Sequence, residues 1–284
     1  MLTHQVSVDS ARRVVVKRFV QADRGEAERE WRALTLLADH APGLAPEPIL
    51  AHLDADPPVI EMSLLPGEPL GGRPLTTEQE SALVRALGQL WQSVPVSRVV
   101  PLPGEAGNEA QLVGIVKQLA EQAQDLGDDP VVRAAHSAGM NWLYWAVGES
   151  ERLVGQDSYA NPGGSPGGPG PSAVFGQGDA NLANFLWDGE RVRIVDFEDS
   201  GLSDRAFELA VLVEHLSAWS ESDLDGDVFL RAFELSACER ARLADCRRLV
   251  ALAWLLLLRP GGKASLRNPP GTLRRQAERL LALL

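Results

Sequence analysis

The chain contains little cysteine, and no apolar run in it is long enough to cross a bilayer. Its only cysteines are Cys238 and Cys246. On one helix they would lie about 12 Å apart, at a rise of about 1.5 Å per residue, whereas a disulfide needs Cα atoms within about 7 Å. The run from Val250 to Leu258 is far shorter than the roughly 20 residues of a membrane span and predicts a buried helix. With no signal-peptide pattern at the start, these features favour a reduced, cytoplasmic protein.

Positive charge is also scarce. The 284 residues carry 27 Lys and Arg against 39 Asp and Glu, a net charge of −12. Nucleic-acid binding relies on basic side chains that neutralise phosphates, and anionic membrane surfaces attract the same side chains. We therefore expect no nucleic-acid partner and no membrane partner. None of the five histidines has metal-ligand spacing, so no zinc site is expected.

The order of patterns predicts a small β-rich lobe followed by a larger helical lobe. Residues 5–19 read as a β-hairpin, Glu26 to His40 as an amphipathic helix, and Val59 to Leu65 as an apolar strand. Thr76 and Gln79 then form a capping-box signature. Further helices are predicted at 109–126, 130–147, 205–219, 229–235, 239–258 and 272–284, and a Gly/Pro loop at 159–172. The predicted fold class is α+β, with lobes at residues 1–67 and 68–284.

The stretch from 176 to 196, GQGDANLANFLWDGERVRIVD, contains the residues of greatest chemical interest. Asp188-Gly189 favours a type I′ turn between two short strands. A hairpin brings its open ends together, so Asn184 and Asp196 should be neighbours. Their oxygens suit Mg²⁺, a hard cation, and Asp179 would stand nearby and face a substrate. The alternative is an ordinary hairpin with polar ends, because Asp and Asn also favour turns.

The segments GDANLAN (178–184) and VDFEDSGLSDRAFELA (195–210) resemble the aminoglycoside phosphotransferase and choline kinase-like family. That family consists of small-molecule kinases with the two-lobed protein-kinase-like fold. The resemblance implies that Asp179 is the catalytic residue that accepts the hydroxyl proton and that Asn184 and Asp196 are the Mg²⁺ ligands. It also makes Asp204 a structural residue near the start of a helix.

The first lobe supports the resemblance. Lys17, in VVVKRF, matches the strand lysine that holds the α- and β-phosphates, and Glu30, in EREWRAL, matches its helix partner. A lysine on a solvated strand face is the alternative for Lys17. The segment VIEMSLLPGEPL resembles the last strand of the small lobe and the linker that follows it. There the backbone near Glu61 to Ser63 would hydrogen-bond the adenine.

Two positions depart from the family pattern. Gln177 stands where the family usually has histidine, although glutamine can also form hydrogen bonds. Only 16 residues precede Lys17, and no glycine precedes Gly25. We therefore expect the first strand and the phosphate-covering loop to be missing. Either the start site is placed too far downstream or the small lobe is truncated.

The activity implied by the resemblance is transfer of the ATP γ-phosphate, with GTP as the other possible donor, to a hydroxyl of a small molecule with Mg²⁺ as cofactor. Residues 176–220 carry nine acidic residues against three arginines, which favours a cationic acceptor. Residues 239–284 carry ten basic residues against three acidic ones; we interpret this as a solvated helix face, with an anion-binding surface as the alternative. Trp142 and Trp145 are candidates for lining a substrate pocket. A monomer or homodimer is expected.

Two other functions remain as alternatives. A noncatalytic nucleotide-binding protein of the same fold is favoured by the missing phosphate loop, and the complete trio of Asp179, Asn184 and Asp196 argues against it. A protein kinase is disfavoured, because only eight residues separate Asp196 from the helix predicted at Arg205. That interval leaves no room for an activation segment.

Overall fold

The structure is a computed structural model that describes residues 4–20, 25–99, 109–122, 126–153 and 173–284. The predicted Gly/Pro loop at 159–172 lies outside these described residues. Among them, no helix has both the length and the apolar character that a membrane span requires.

The small lobe is an antiparallel sheet covered by one helix. Its elements are β1 (Gln5–Asp9), β2 (Val14–Arg18), α1 (Glu26–His40), β3 (Pro48–His52) and β4 (Val59–Ser63). The sheet order is β1-β2-β4-β3, and α1 packs against β3 and β4. In this register Lys17 lies opposite Val6 on one side and Ile60 on the other.

Helix α1 has the predicted bounds, and its apolar face is buried as its sequence period requires. Ala27, Leu34 and Leu37 are each no more than 1% exposed. Glu30 is also buried, and it follows Ala27 by three residues and precedes Leu34 by four, so it lies on the same face. The helix therefore carries one carboxylate into the interior. Strand β3 was not predicted, because Pro48 at its start reads as a helix stop rather than as an edge-strand residue.

The second part of the chain is mainly helical, with two small sheets on the side of the first lobe. Its helices are α2 (Thr77–Ser93), α3 (Glu109–Gln122), α4 (Pro130–Leu153), α5 (Arg205–Glu214), α6 (Gly226–Leu230), α7 (Ala237–Leu257), α8 (Lys263–Arg267) and α9 (Thr272–Leu283). Its strands are β5 (Glu68–Pro69), β6 (Ala173–Gly176), β7 (Phe185–Trp187), β8 (Val192–Ile194) and β9 (Gly201–Asp204). The strand orders are β5-β7-β8 and β6-β9, all antiparallel.

Helix α7 is the central element of the helical part. It packs against α3, α5 and α9, and most of the apolar run from Val250 to Leu258 is buried, as predicted. Cys238 and Cys246 both lie on α7, the first exposed and the second buried, and they form no disulfide with each other. The Thr76 capping box at the start of α2 is confirmed.

Three predicted helices differ from the observed ones, and α8 was not predicted. Helix α4 continues to Leu153, six residues past its predicted end. Helix α5 ends at Glu214, not at Trp219, because His215 is extended and a π-helical turn, Ser217–Glu221, follows it. Helix α6 begins at Gly226, after an Asp225 cap, and ends at Leu230. In the α5 and α6 segments the apolar spacing continues past a break in the backbone hydrogen bonds, so the period alone extends the helix too far.

The pairing of β5 with β7 bears on the lobe boundary. Glu68 and Pro69 lie opposite Trp187 and Leu186, so the chain joins a sheet of the helical part directly after residue 67. The division into lobes at 1–67 and 68–284 stays a prediction. One hydrophobic core continues across it, from Phe19 and Leu34 to Leu209.

Candidate active site

The hairpin of β7 and β8 brings the two predicted metal ligands together. Phe185 lies opposite Ile194, and the Val195 amide donates to the Asn184 carbonyl at 2.9 Å. Asn184 and Asp196 are thus held at the open end of the hairpin, as the sequence predicts. The turn is not type I′ on Asp188-Gly189, because that turn needs positive φ at both central residues and Asp188 is not among the residues with positive φ.

The Asp188 side chain closes this turn instead. Its Oδ1 accepts from the Glu190 amide at 3.0 Å and the Arg191 amide at 2.9 Å. The other oxygen bonds to Arg193. These amide hydrogen bonds and the arginine lower the pKa of Asp188 to about 2.

Gly178 permits the tight approach of the loop before Asp179 to the segment after Asp196. Its φ is +86°, and a Cβ placed on it would lie 2.0 Å from the Asp199 carbonyl oxygen. Gly178 is therefore required for close backbone approach. Gly176 is confined by side chains instead, since its Cβ would meet the Glu208 carboxylate at 2.3 Å. Asp196 itself has φ +64°, a strained value for a non-glycine residue, which is typical of functional sites.

Gln177, at the position where the family usually has histidine, bridges two segments of the site. Its Nε2 donates to the Asp196 carbonyl at 2.7 Å and the Val195 carbonyl at 3.3 Å. Its Oε1 accepts from the Asp179 amide at 2.9 Å. One neutral, buried side chain thus connects the loop that carries Asp179 to the segment that carries Asp196.

Asp179 and Asn184 orient each other. The Asn184 Nδ2 donates to Asp179 Oδ2 at 3.1 Å and to the Asp179 carbonyl at 3.2 Å. The side-chain nitrogen of Asn184 is used in this way, so its side-chain oxygen, Oδ1, is left to face a cation. Burial and the nearby carboxylate of Asp196 raise the pKa of Asp179 to about 6.

Lys17 contacts three carboxylates. Its Nζ lies 2.5 Å from Glu30 Oε2, 2.5 Å from Asp196 Oδ1 and 2.9 Å from Glu198 Oε2. Burial lowers the pKa of Lys17, but these carboxylates outweigh burial and hold it above its usual range. Burial raises the pKa of Glu30. The predicted pairing of Lys17 with Glu30 is present, and the lysine is buried rather than on a solvated strand face.

Three residues near this site were missed by the sequence reasoning. Glu198 contacts Lys17, and Arg29 donates from Nε to the Glu198 carbonyl at 2.7 Å. His4 Nδ1 lies 3.3 Å from Glu198 Oε2. Glu198 belongs to the Asp-Phe-Glu motif, and this motif could have identified it from the sequence. His4 reaches the site only because β1 pairs with β2.

The helical part holds residues 177–184, the loop that carries Asp179, through hydrogen bonds. The Leu182 amide donates to Ser217 Oγ at 2.9 Å. The Ser217 amide donates to His215 Nδ1 at 3.1 Å, so this nitrogen is an acceptor, and the Ser217 hydroxyl, 2.7 Å from the same atom, donates to it as well. Burial lowers the pKa of His215 to about 4. A neutral histidine therefore fixes the hydroxyl that receives the loop amide.

Asp204 is the N-cap of α5, as expected for a structural residue near a helix start. Its Oδ1 accepts from the Phe207 amide at 3.0 Å. Its Oδ2 accepts two hydrogen bonds from Arg242, at 2.8 and 2.6 Å. The residue thus ties α5 to α7.

Glu61 and Ser63 lie on β4, and their role with adenine stays a prediction. Glu61 lies opposite Val16 and Leu50, in the middle of the sheet. The Ser63 amide donates to the Glu47 carbonyl at 2.9 Å, and its hydroxyl accepts from the Glu47 amide. A base would have to approach the chain just beyond these residues or displace these bonds.

Trp142 and Trp145 lie on α4, far along the chain from these loops. Trp142 packs against the core formed by α3, α4, α7 and α9. Trp145 is 62% exposed and stands edge-on to Tyr144. Their role in lining a substrate pocket stays a prediction.

The oxygen-rich site fits a divalent cation. Glu30, Asp196 and Glu198 all place carboxylate oxygens around the Lys17 ammonium group. Asn184 lies at the same open end of the hairpin as Asp196. Such a donor set suits Mg²⁺.

Comparisons with known proteins identify the family of the chain. The chain matches the model of the phosphotransferase enzyme family over residues 2–248. It belongs to that family. Among the curated proteins none matches the chain in sequence.

Solved structures of phosphotransferases share the fold of this family member. A choline/ethanolamine kinase family protein from Mesorhizobium loti is 18% identical, with a TM-score of 0.61 over 100% of this chain and 85% of that chain. Choline kinase LicA from Streptococcus pneumoniae is 14% identical, with a TM-score of 0.58 over 99% and 89%. A spectinomycin phosphotransferase in complex with ADP and spectinomycin is 16% identical, with a TM-score of 0.61 over 100% and 91%. The predicted two-lobed, protein-kinase-like fold is confirmed.

Proposed function

We propose that this protein transfers the γ-phosphoryl group of ATP to a hydroxyl group of a small molecule. The observation that carries the proposal is the convergence of Asp179, Asn184 and Asp196 with Lys17. These residues come from two distant stretches of chain, Lys17 from one and residues 179–196 from the other, and no structural requirement of a hairpin would bring a strand lysine to Asp196.

Asp179 is the proposed base. The acceptor hydroxyl oxygen attacks the γ-phosphorus, the bond to the β–γ bridging oxygen breaks, and the hydroxyl proton passes to the Asp179 carboxylate. A pKa of about 6 leaves this carboxylate ionised at neutral pH and still basic enough to take the proton. The amide of Asn184 holds the carboxylate in one orientation.

Lys17 is proposed to bind the α- and β-phosphates, with Glu30 keeping its ammonium in place. Asn184 and Asp196 would hold Mg²⁺, which supplies charge neutralisation for the phosphates. The backbone near Glu61 to Ser63 is the proposed neighbour of the adenine. GTP is the alternative donor: a related aminoglycoside 2′-phosphotransferase was solved as a GDP complex.

The acceptor is proposed to be a small alcohol, with cationic ones favoured. Related structures are described as a choline kinase and as phosphotransferases of spectinomycin and aminoglycosides. Asp179, Asp196, Glu198 and Asp199 lie around the site, and their field would attract an amine or ammonium group.

The test is direct product formation. The purified full chain is incubated with ATP and Mg²⁺ and a panel of aminoglycosides, choline-like alcohols, neutral sugars and anionic hydroxy acids, and phosphorylated products are measured by mass spectrometry. A product that is formed by the wild type and lost in Asp196→Ala supports the proposal.

A noncatalytic nucleotide-binding protein is the second candidate. The observation that favours it is the β1–β2 turn, Ser10 to Arg13, which contains no glycine to approach phosphates closely. Tight ATP binding without any product over the whole panel would make this candidate the better one.

A further inference from the structure

We propose that His4 supplies an imidazole nitrogen to the divalent cation at Asp196 and, together with Glu198, shifts the preference of this centre from Mg²⁺ towards first-row transition ions. The inference rests on the proposed function, because it concerns the metal of the same site. It adds to that site a nitrogen ligand from the first strand region of this chain.

The three side chains already lie at a spacing close to that of a metal site. One ligand atom each from His4, Asp196 and Glu198 lies within 4.8 Å of the other two. Ligands bound to one ion at about 2.0–2.2 Å are separated by at most about 4.4 Å. Movements of well under an ångström per side chain therefore suffice to close the group around an ion.

The hairpin of β1 and β2 determines where His4 lies. Gln5 pairs with Arg18, so the residue before it lies beside Phe19. The rings of His4 and Phe19 are 6.4 Å apart, and Phe19 is only 2% exposed. A buried aromatic ring thus packs beside the imidazole.

The local charge favours a second cation. The ammonium of Lys17 faces the carboxylates of Glu30, Asp196 and Glu198. Asp196 and Glu198 thus share an ammonium group that also pairs with Glu30, so a second cation beside these two carboxylates would add electrostatic attraction. An ion that engages Asp196 and Glu198 leaves Lys17 with Glu30 as its partner, at the observed 2.5 Å.

The type of donor atom determines which ion the site binds more tightly. Mg²⁺ prefers oxygen ligands and keeps its waters, so an imidazole adds little to its affinity. Imidazole nitrogen suits transition ions, whose affinities for nitrogen sites follow a common order. The inference therefore predicts a change in selectivity between metals more than a change in overall affinity.

The experiment measures metal binding by the full chain without substrates. Mn²⁺ binding is followed by the EPR signal of the free ion, and Mg²⁺ binding by its competition with Mn²⁺. The variants are His4→Gln, Asp196→Ala and, as a matched control, His52→Gln, which changes an exposed histidine at the end of β3. Pulsed EPR of bound Mn²⁺ detects a coordinated imidazole nitrogen directly.

We expect His4→Gln to weaken Mn²⁺ binding about tenfold, or about 1.4 kcal/mol, with Mg²⁺ affinity changed less than about threefold. His52→Gln should behave as the wild type. The wild-type protein should show nitrogen coupling that disappears in His4→Gln. Should the variant fold poorly, nitrogen coupling in the wild type alone still decides whether an imidazole binds the ion.

An unchanged ratio of Mn²⁺ to Mg²⁺ affinity, with no nitrogen coupling, would overturn the inference and leave His4 as an ion-pair partner of Glu198 only. In that case loss of both metals in Asp196→Ala would keep the metal site of the proposed function intact. If Asp196→Ala bound both ions as the wild type does, the metal site of the proposed function itself would be wrong.

Discussion

At the scale of single residues, the site depends on side chains whose orientation is fixed by a second polar group. Asp179 is held by Asn184, and the two are linked by a hydrogen bond of 3.1 Å. Gln177 fixes the backbone on both sides, with hydrogen bonds to the Asp179 amide and the Asp196 carbonyl. Each reactive oxygen therefore has one defined direction before any substrate arrives, which lowers the cost of reaching the reactive geometry.

The first prediction concerns the base. Asp179→Asn should fold normally and bind ATP as the wild type does, because asparagine has the same shape. It should lose about a hundredfold or more in phosphoryl transfer, since the acceptor proton then has no carboxylate to receive it. Single-turnover product formation measures the loss, and calorimetry measures nucleotide binding. Wild-type turnover in this variant would remove Asp179 from the mechanism.

The second prediction separates steric crowding from backbone strain in the catalytic loop. Gly178 and Gly72 have nearly the same φ, +86° and +83°, but only Gly178 has a close neighbour, the Asp199 carbonyl. Gly72→Ala should cost about 1 kcal/mol, the usual penalty of a left-handed backbone. Gly178→Ala should cost more than about 3 kcal/mol or prevent folding, because the loop must move. Urea unfolding of both variants provides the comparison, and equal costs would contradict it.

At the scale of elements, the end of α5 determines where the loop at residues 177–184 is held. Helix α5 ends at Glu214, and the π-helical turn that follows places the Ser217 hydroxyl where it accepts a hydrogen bond from the Leu182 amide. The hydroxyl can accept from the Leu182 amide because its own hydrogen is directed to His215. Irregular helical turns of this kind are frequent at functional sites.

The third prediction is a pH dependence of stability from His215. Its folded pKa, about 4, is below the ordinary value of 6.5. Between these values the unfolded chain binds the proton and the folded chain does not, so stability falls as pH drops from 6.5 towards 4. At pH 5 the contribution of this residue should be about 1–2 kcal/mol lower than at pH 7.

Urea unfolding at pH 7 and pH 5 measures this effect. The wild type should lose more stability than His215→Gln over the same interval, because glutamine does not titrate. Other carboxylates contribute equally to both proteins and cancel in the difference. Parallel losses in the two proteins would show that His215 is protonated in the folded state at pH 5.

The fourth prediction concerns Ser217. Ser217→Ala leaves the Leu182 amide without its buried acceptor, which should cost about 1–3 kcal/mol. Amide hydrogen exchange at Leu182 should accelerate, while amides in α9 keep their protection. Ser217→Thr retains the hydroxyl and should restore most of the protection. Slow exchange at Leu182 in Ser217→Ala would mean that the loop does not depend on this hydroxyl.

The sequence predicts long, periodic elements better than short ones. The bounds of α1 and the Thr76 cap follow from apolar spacing and capping chemistry, and both are observed. Strands β3, β5, β6 and β9 were missed, because five residues or fewer carry too little period-2 pattern to identify without a turn signal such as the one that joins β7 and β8. The hairpin end at Asn184 and Asp196 was predictable from a local signal. The contacts of Lys17 with Glu198 and of Glu198 with His4 arise from packing between distant segments, and no local pattern encodes them.

At the scale of the whole molecule, the acidic segment at 176–220 and the basic segment at 239–284 form ion pairs with each other. Acidic residues in or beside α5 pair with basic residues of α7 and α9: Asp204 with Arg242, and Glu214 with both Arg247 and Arg279. Glu214 is fully buried between its two arginines. The basic segment is therefore partly an internal counterpart of the acidic one, not only a solvated face.

Because of this pairing, only some of the acidic residues can attract a cationic acceptor. Neutralised acids such as Asp204 and Glu214 contribute little field at the site. Asp196 and Asp199 do contribute, since both carboxylates raise the pKa of Asp179. A preference for cationic acceptors should therefore depend on charge close to Asp179 and not on the overall charge of −12.

The last prediction tests this distinction with two variants that remove the same unit charge. Asp199→Asn lies at the site, whereas Glu278→Gln is exposed on α9 and pairs only with Arg274 among the described residues. For a cationic acceptor, Asp199→Asn should raise KM several-fold at low salt, and Glu278→Gln should leave it unchanged. The difference should shrink at high salt, because a Debye length of about 3 Å at 1 M screens the field. Steady-state kinetics at two salt concentrations, with a neutral acceptor as reference, decides it: equal effects of the two variants would assign the preference to overall charge, and no effect of either would leave the acceptor site without electrostatic selectivity.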